Sequence, residues 1–216
     1  MKKYAIVTDF DGTVTTLDIG NSLCLHFGTT TQEKIEHAYA VKADAKTWME
    51  CHFGPIKVKQ QEFERIILDI AHIKEGFIKL AEFCKKHNVP FEIASGGLDI
   101  YINPILKKNN VPAIPVYCVQ GTFTADGIMI DFPFYPDMPL EVFKASRVKY
   151  YKAQGYTTIF LGDGPSDFNA AKEADIVFAT DRLVDICKQN NVAFNEFTNF
   201  NAALKILEEN YVTVPA

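Results

Sequence analysis

The chain predicts a doubly wound α/β fold: a mostly parallel sheet with helices on both faces and a small helical insertion after the first strand. Three features carry that expectation. Short apolar runs of strand length alternate with amphipathic helical stretches over residues 75–216. Three strand-like runs, one of them before that range, stop abruptly at polar loops: Ala5-Ile6-Val7 before Asp9, Phe91-Glu92-Ile93-Ala94 before Ser95, and Thr157 to Leu161 before Gly162. Residues Leu17 to about Ile73 contain no convincing strand. The predicted division is a core of residues 1–16 and 75–216 and a helical cap of residues 17–74.

Ala5-Ile6-Val7 is apolar and partly β-branched, the signature of a parallel strand buried on both faces. Within the insertion, Ile19 to Phe27 reads as a helix start. Gln32 to Ala45 follows as a helix with Thr31 as N-cap, and Lys59 to Ile73 as a helix with Phe63, Ile66, Ile67 and Ile70 on one face. Alternation then resumes. Gly76 to His87 is an amphipathic helix, Pro90 to Ala94 a strand, and Asp99 to Lys108 a helix in which Pro104 is expected to cause a kink. Pro115 to Val119 is the next strand. Residues 121–124 and 127–132, joined through Ala125-Asp126-Gly127, read as a β-hairpin. Leu140 to Ala153 is a helix, Thr157 to Leu161 a buried strand, and Pro165 to Ala174 a helix with proline in its first turn. Ile176 to Ala179 is a strand; Leu183 to Asn190 and Phe200 to Asn210 are closing helices.

The chemistry concentrates where strands end. Asp9 and Asp11 follow the first strand with only Phe10 between them, and Gly12-Thr13 breaks the strand after them. Two like charges at the end of a buried strand repel, and desolvation raises the cost. A hard divalent cation removes both problems, and magnesium suits carboxylate and carbonyl oxygens. An Asp-Gly turn is the plainer reading of this loop alone. Gly162-Asp163-Gly164-Pro165-Ser166-Asp167 supplies a further carboxylate: Asp163 would complete a metal shell begun by Asp9 and Asp11. Asp167 would cap the next helix or hold a metal-bound water. Ser95-Gly96-Gly97 offers a hydroxyl and backbone N–H groups to a phosphate oxygen, and is equally an ordinary turn. Lys144, early in its helix, is placed to neutralise a phosphate or a nucleophile; by chemistry alone Lys149 and Lys152 compete with it. In a parallel sheet these loops share one edge, so residues far apart in sequence can meet there.

Taken together, Asp9-Phe10-Asp11-Gly12-Thr13, Ser95, Lys144 and Gly162 to Asp167 resemble, in order and spacing, the four motifs of the haloacid dehalogenase superfamily. The helical insertion resembles the small cap of its phosphoserine phosphatase-like branch. Ile93 to Asp99, the hairpin and the fourth motif look like the subgroup acting on 2-hydroxy-3-keto-5-methylthiopentenyl-1-phosphate in methionine salvage. The resemblance implies a Rossmann-like core and a phosphatase using Mg2+. Asp9 would be the nucleophile, Asp11 the acid and base, and Thr13 and Asp167 supporting residues. The Asp9 carboxylate, the Asp11 carbonyl and Asp163 would hold the metal, while Ser95, Gly96 and Lys144 would hold phosphoryl oxygens. Asp18, at the cap entrance, lies where the phosphoserine enzymes carry glutamate. Phe27, Tyr39, Trp48 and Phe53 in the cap suit either a thioether-bearing substrate or a plain cap core. Phosphoserine and other small phosphoesters are the alternatives, as is a non-catalytic phospho-ligand binder.

Composition sets the outer bounds. A net charge of −5 over 216 residues gives no electrostatic case for nucleic acid, and the partner expected is a small phosphorylated metabolite. A nucleotide hydrolase of the P-loop kind is excluded, because GxxxxGK[ST] does not occur. Five widely spaced cysteines without a CxxC pair read as reduced thiols. No apolar run reaches membrane-spanning length and the first lacks signal-peptide character, so the expected location is cytoplasmic.

Overall fold

The structure, a computed structural model, describes residues 2–41 and 43–211. Strand β1, Tyr4–Thr8, is buried along its whole length and lies at the middle of a seven-stranded sheet. The other strands are β2 (Phe91–Leu98), β3 (Val116–Phe123), β4 (Ile128–Asp131), β5 (Thr157–Gly162), β6 (Ile176–Ala179) and β7 (Asn195–Glu196). Their order is β4-β3-β2-β1-β5-β6-β7, parallel throughout except for the antiparallel β3–β4 pair. β1 pairs with β2 on one side and β5 on the other, in registers such as Val7 with Glu92 and Val7 with Phe160. From β1 the chain runs outward through β2 and β3, then returns to start again at β5. That reversal is a topological switch point, where a crevice opens at the carboxyl ends of the strands.

Ten α-helices accompany these strands among the described residues, with a 3-10 turn over Pro165–Asp167 leading into the eighth. Helices α1 (Ile19–His26), α2 (Gln32–Val41), α3 (Ala45–Phe53) and α4 (Gln60–Ile70) fill the insertion. Then follow α5 (Phe77–His87), α6 (Asp99–Lys108), α7 (Leu140–Ala153), α8 (Phe168–Glu173), α9 (Asp181–Gln189) and α10 (Asn201–Tyr211). The predicted helix over Gln32–Ala45 stops at Val41, and a separate helix follows that the sequence pattern did not predict. Asp44 caps it: the carboxylate accepts from the Thr47 N–H at 2.8 Å and from the Thr47 hydroxyl at 2.9 Å. α6 runs through Pro104 as one helix. The Ser95-Gly96-Gly97 turn is corrected too: strand β2 carries on to Leu98, with a register shift against β3 between Ala94 and Leu98. β7, two residues long, was not predicted either.

The insertion joins the sheet through two antiparallel connectors. Thr15 bridges Ile73, the Thr16 N–H donates to the His72 carbonyl at 2.9 Å, and the Lys74 N–H donates to the Val14 carbonyl at 2.8 Å. Its helices do not hang free of the sheet edge. α4 packs on α6 and α3 against β4, and Leu23, Phe53, Phe63 and Ile67 are part of the same continuous apolar core as β1 and β2.

Fully buried Glu92 of β2 is the costly residue of this core. Arg147 of α7 grips it with two hydrogen bonds of 2.7 and 2.8 Å, and the Tyr151 hydroxyl donates a third at 2.7 Å. Removing one partner of a buried pair leaves the other uncompensated. Arg147→Met is therefore expected to destabilise the protein by about 3 kcal/mol, read from denaturant midpoints. Glu92→Gln, which keeps shape and removes the charge, should cost less.

Candidate active site

The ends of β1 and β5, the irregular stretch of β2 after Ala94 and helix α7 build the site. Asp9 follows β1, and its own N–H donates to the Leu161 carbonyl of β5 at 2.9 Å, which ties the two strand ends together. The Asp9 carboxylate accepts from the Phe10 N–H through Oδ1 at 2.7 Å and faces the Lys144 ammonium through Oδ2 at 2.8 Å. Burial pushes its pKa up to about 6 against the pull of Lys144. Gly12 turns the loop with φ +69°, and a Cβ there would lie 2.5 Å from Asp163 Oδ2, so the turn needs a glycine twice over.

Lys144 lies in the first half of α7 and is 1 % exposed. It contacts Asp9, Asp167 Oδ1 at 2.7 Å and Ser166 Oγ at 3.2 Å. Burial acts to lower its pKa, but the two carboxylates outweigh burial and hold it raised. The rival lysines are elsewhere: Lys149 pairs with Glu173 and Lys152 with Asp175, and both lysines are exposed, 60% and 39%, where Lys144 is buried. Asp167, fully buried, accepts the Asp163 and Gly164 N–H groups through Oδ2 at 3.0 and 2.9 Å, so it fastens the loop after β5 onto Lys144. The Thr13 hydroxyl donates to Asp163 Oδ1 at 2.8 Å and sets that carboxylate's direction.

Carboxylate oxygens of Asp9, Asp163 and Asp167 lie within 4.8 Å of one another. Burial, followed by the charge of Asp9, drives the Asp163 pKa well above the carboxylate range. Crowded, desolvated oxygens of this kind are a donor set for a hard divalent cation. The Asp11 side chain is not one of them. It turns away, accepting the Ile19 N–H at 3.0 Å and the Gly20 N–H at 3.4 Å through Oδ1, and the Tyr101 hydroxyl at 2.6 Å through Oδ2. Burial first, and Asp18 next, hold Asp11 well above the usual carboxylate range. Ser95 is buried and accepts the Gly97 N–H at 3.0 Å, which leaves its own O–H to donate.

These groups line a cavity of about 740 Å³, with Asp9, Asp11, Ser95, Gly96, Lys144 and Asp163 all on its wall. The insertion covers the opposite side with Asp18, Tyr39, Trp48, Met49 and Phe53. Phe27 does not reach it; its ring stacks on Phe63. Asp18 caps α1 and is engaged by Asn21 and the Tyr39 hydroxyl. Tyr101 went unnoticed in the sequence. Its signal was position: the first turn of the helix that follows Gly97 sits at the same sheet edge.

A profile of the haloacid dehalogenase-like hydrolases matches residues 6–172. The chain belongs to that family. A 2-hydroxy-3-keto-5-methylthiopentenyl-1-phosphate phosphatase of Lysinibacillus sphaericus is 32% identical, covering 96% of this chain and 95% of its own. One of Bacillus pumilus is 30% identical, covering 93% and 89%. Among solved structures, a substrate-bound phosphoserine phosphatase superposes with a TM-score of 0.73 at 19% identity, covering 95% of this chain and 98% of that one. That likeness is one of fold, and it places this hydrolase among α/β proteins with a Rossmann-like sheet. No helix among its described residues is long and apolar enough to cross a membrane.

Proposed function

We propose that this hydrolase is a phosphatase that cleaves 2-hydroxy-3-keto-5-methylthiopentenyl-1-phosphate through an aspartyl-phosphate, with residues 17–74 as the cap over the site. The observation that carries the reading is the Asp9 carboxylate, held 2.8 Å from a buried lysine at the foot of the cavity, with Asp11, Ser95 and Asp163 around it. Asp9 attacks phosphorus; Asp11 gives a proton to the leaving oxygen and recovers one from the water that attacks next. Ser95, the Gly96 N–H and Lys144 hold phosphoryl oxygens. Asp9, the Asp11 carbonyl and Asp163 hold Mg2+, with Thr13 and Asp167 fixing those groups in place. The cation supplies charge compensation between the nucleophile and an anionic phosphoryl group.

The choice of substrate rests on the named relatives and on the cavity wall. Ile35, Trp48, Met49 and Phe53 give it an apolar side, and Lys144 is its only Lys or Arg among the described residues. Arg147 is spent on Glu92, and Arg182 on Glu36. A phosphoserine carboxylate would find no arginine there, whereas an uncharged methylthio chain needs none. A panel of phosphate esters tests this: kcat/KM is expected to be at least about 100-fold higher for the methylthiopentenyl phosphate than for phosphoserine, the order of about 3 kcal/mol of side-chain recognition. Preference for phosphoserine would overturn the assignment. Free thiols at all five cysteines support a reducing, cytoplasmic setting.

A further inference from the structure

We infer that Tyr101 is a positioning residue for the proton transfer by Asp11. The inference rests on Asp11 being the acid, as proposed above, and goes beyond it by naming the group that aims the carboxyl.

Tyr101 is 1 % exposed, and its hydroxyl donates to Asp11 Oδ2 at 2.6 Å while the Ile19 N–H binds Oδ1 at 3.0 Å. Both oxygens of Asp11 are thus pinned from opposite sides, by the first turn of α6 and the first turn of α1. Oδ1 also accepts the Gly20 N–H at 3.4 Å, whereas Oδ2 accepts only the Tyr101 hydroxyl among the described residues and keeps a second lone pair, so the transferable proton has its place there. The surroundings are cut to fit the phenol. A Cβ on Gly97 would collide with the Tyr101 hydroxyl and lie 2.5 Å from Asp11 Oδ2, and a Cβ on Gly20 would lie 3.2 Å from the same hydroxyl. Phe53 of the insertion stacks on the Tyr101 ring, centroids 6.3 Å apart and planes at 24°. The covering segment therefore bears on the acid through Tyr101.

In the first step a bond forms between an Asp9 oxygen and phosphorus, the ester P–O bond breaks, and the Asp11 proton moves to the leaving oxygen. In the second, a water oxygen bonds to phosphorus, the Asp9–phosphorus bond breaks, and a water proton returns to Asp11. Tyr101 exchanges no proton. Its donated hydrogen bond fixes the carboxyl's direction and stabilises the carboxylate formed in the first step.

A leaving group that departs readily as an anion needs no proton; an alkoxide does. The test is kcat/KM of Tyr101→Phe for p-nitrophenyl phosphate, phenyl phosphate and an alkyl phosphate, with Asp11→Asn measured in parallel. kcat/KM reports the first chemical step, before water enters. Tyr101→Phe is expected to lose about 10- to 100-fold on the alkyl ester and less than about threefold on p-nitrophenyl phosphate, phenyl phosphate falling between. Retained turnover of the nitrophenyl ester also shows that the variant is folded. Equal losses on all three esters, or no loss on any, overturn the inference when Asp11→Asn still discriminates. If Asp11→Asn loses equally on all three, Asp11 is not the acid and the inference falls with that assignment.

Discussion

Asp9→Asn is expected to lower kcat by at least about 10,000-fold, the scale on which loss of an attacking residue is felt, with the fold intact. The amide keeps the geometry: its oxygen can still accept the Phe10 N–H that Asp9 accepts at 2.7 Å. Lys144 loses one partner at 2.8 Å but keeps Asp167 at 2.7 Å. The substitution also removes one charge from a crowd of three carboxylates. Its thermal midpoint should therefore equal or exceed the wild type's. Acid-quenched wild type given radiolabelled phosphate ester should carry a protein-bound label that hydroxylamine releases, as an acyl phosphate does, and the variant should carry none. Equal turnover in the variant would remove Asp9 as the attacking group.

Adding magnesium should raise the thermal midpoint, and by more near neutral pH than in mild acid. Without a cation, Asp9 takes up its proton near pH 6 in the folded protein, above its ordinary value of 3.8. Between those values the folded state binds more protons than the unfolded one. The stability tied to that proton is thus complete below about 3.8 and is lost as pH rises through about 6. Asp11 and Asp163 are shifted in the same direction, burial being the first cause for both. A divalent cation takes the place of those protons, and its hold strengthens as they leave. At a concentration about 100 times its Kd it should add about 2.7 kcal/mol, roughly 5–10 °C for a chain of this size. Asp163→Ala should weaken the magnesium titration by about 10- to 100-fold or more. An unchanged titration would take Asp163 out of the metal shell.

How much of this was legible before folding depends on what each residue signals by itself. Asp9, Asp11 and Asp163 stood out because a buried strand has no reason to end in carboxylates, and the approach of Asp9 to Asp163 required only that parallel strands share an edge; that the Asp11 side chain turns to Ile19 and Tyr101 instead was not legible. Asp167 and Thr13 were expected only as supporting residues, and the structure gives the groups they touch: the Asp163 and Gly164 N–H groups for Asp167, the Asp163 carboxylate for Thr13. Lys144 could not be separated from Lys149 and Lys152 by chemistry. Burial separates them, and burial belongs to the packing of α7 against β1, β2 and β5. The helix at Ala45–Phe53 escaped because its neighbour's periodicity runs up to it, and the capping by Asp44 that divides the two is a short-range signal easily read as helix interior.

By itself the chain determined the α/β alternation, the insertion after the first strand and the residue types gathered at the strand ends. These follow from local periodicity and from the cost of burying charge, which neighbours in sequence already express. The tertiary structure alone decided that Glu92 is paired by Arg147, that Phe27 stays out of the cavity, and that Tyr101 meets Asp11 across 90 residues. Those contacts join elements whose spacing along the chain carries no information about distance. They are set by which faces pack and by where glycine leaves room.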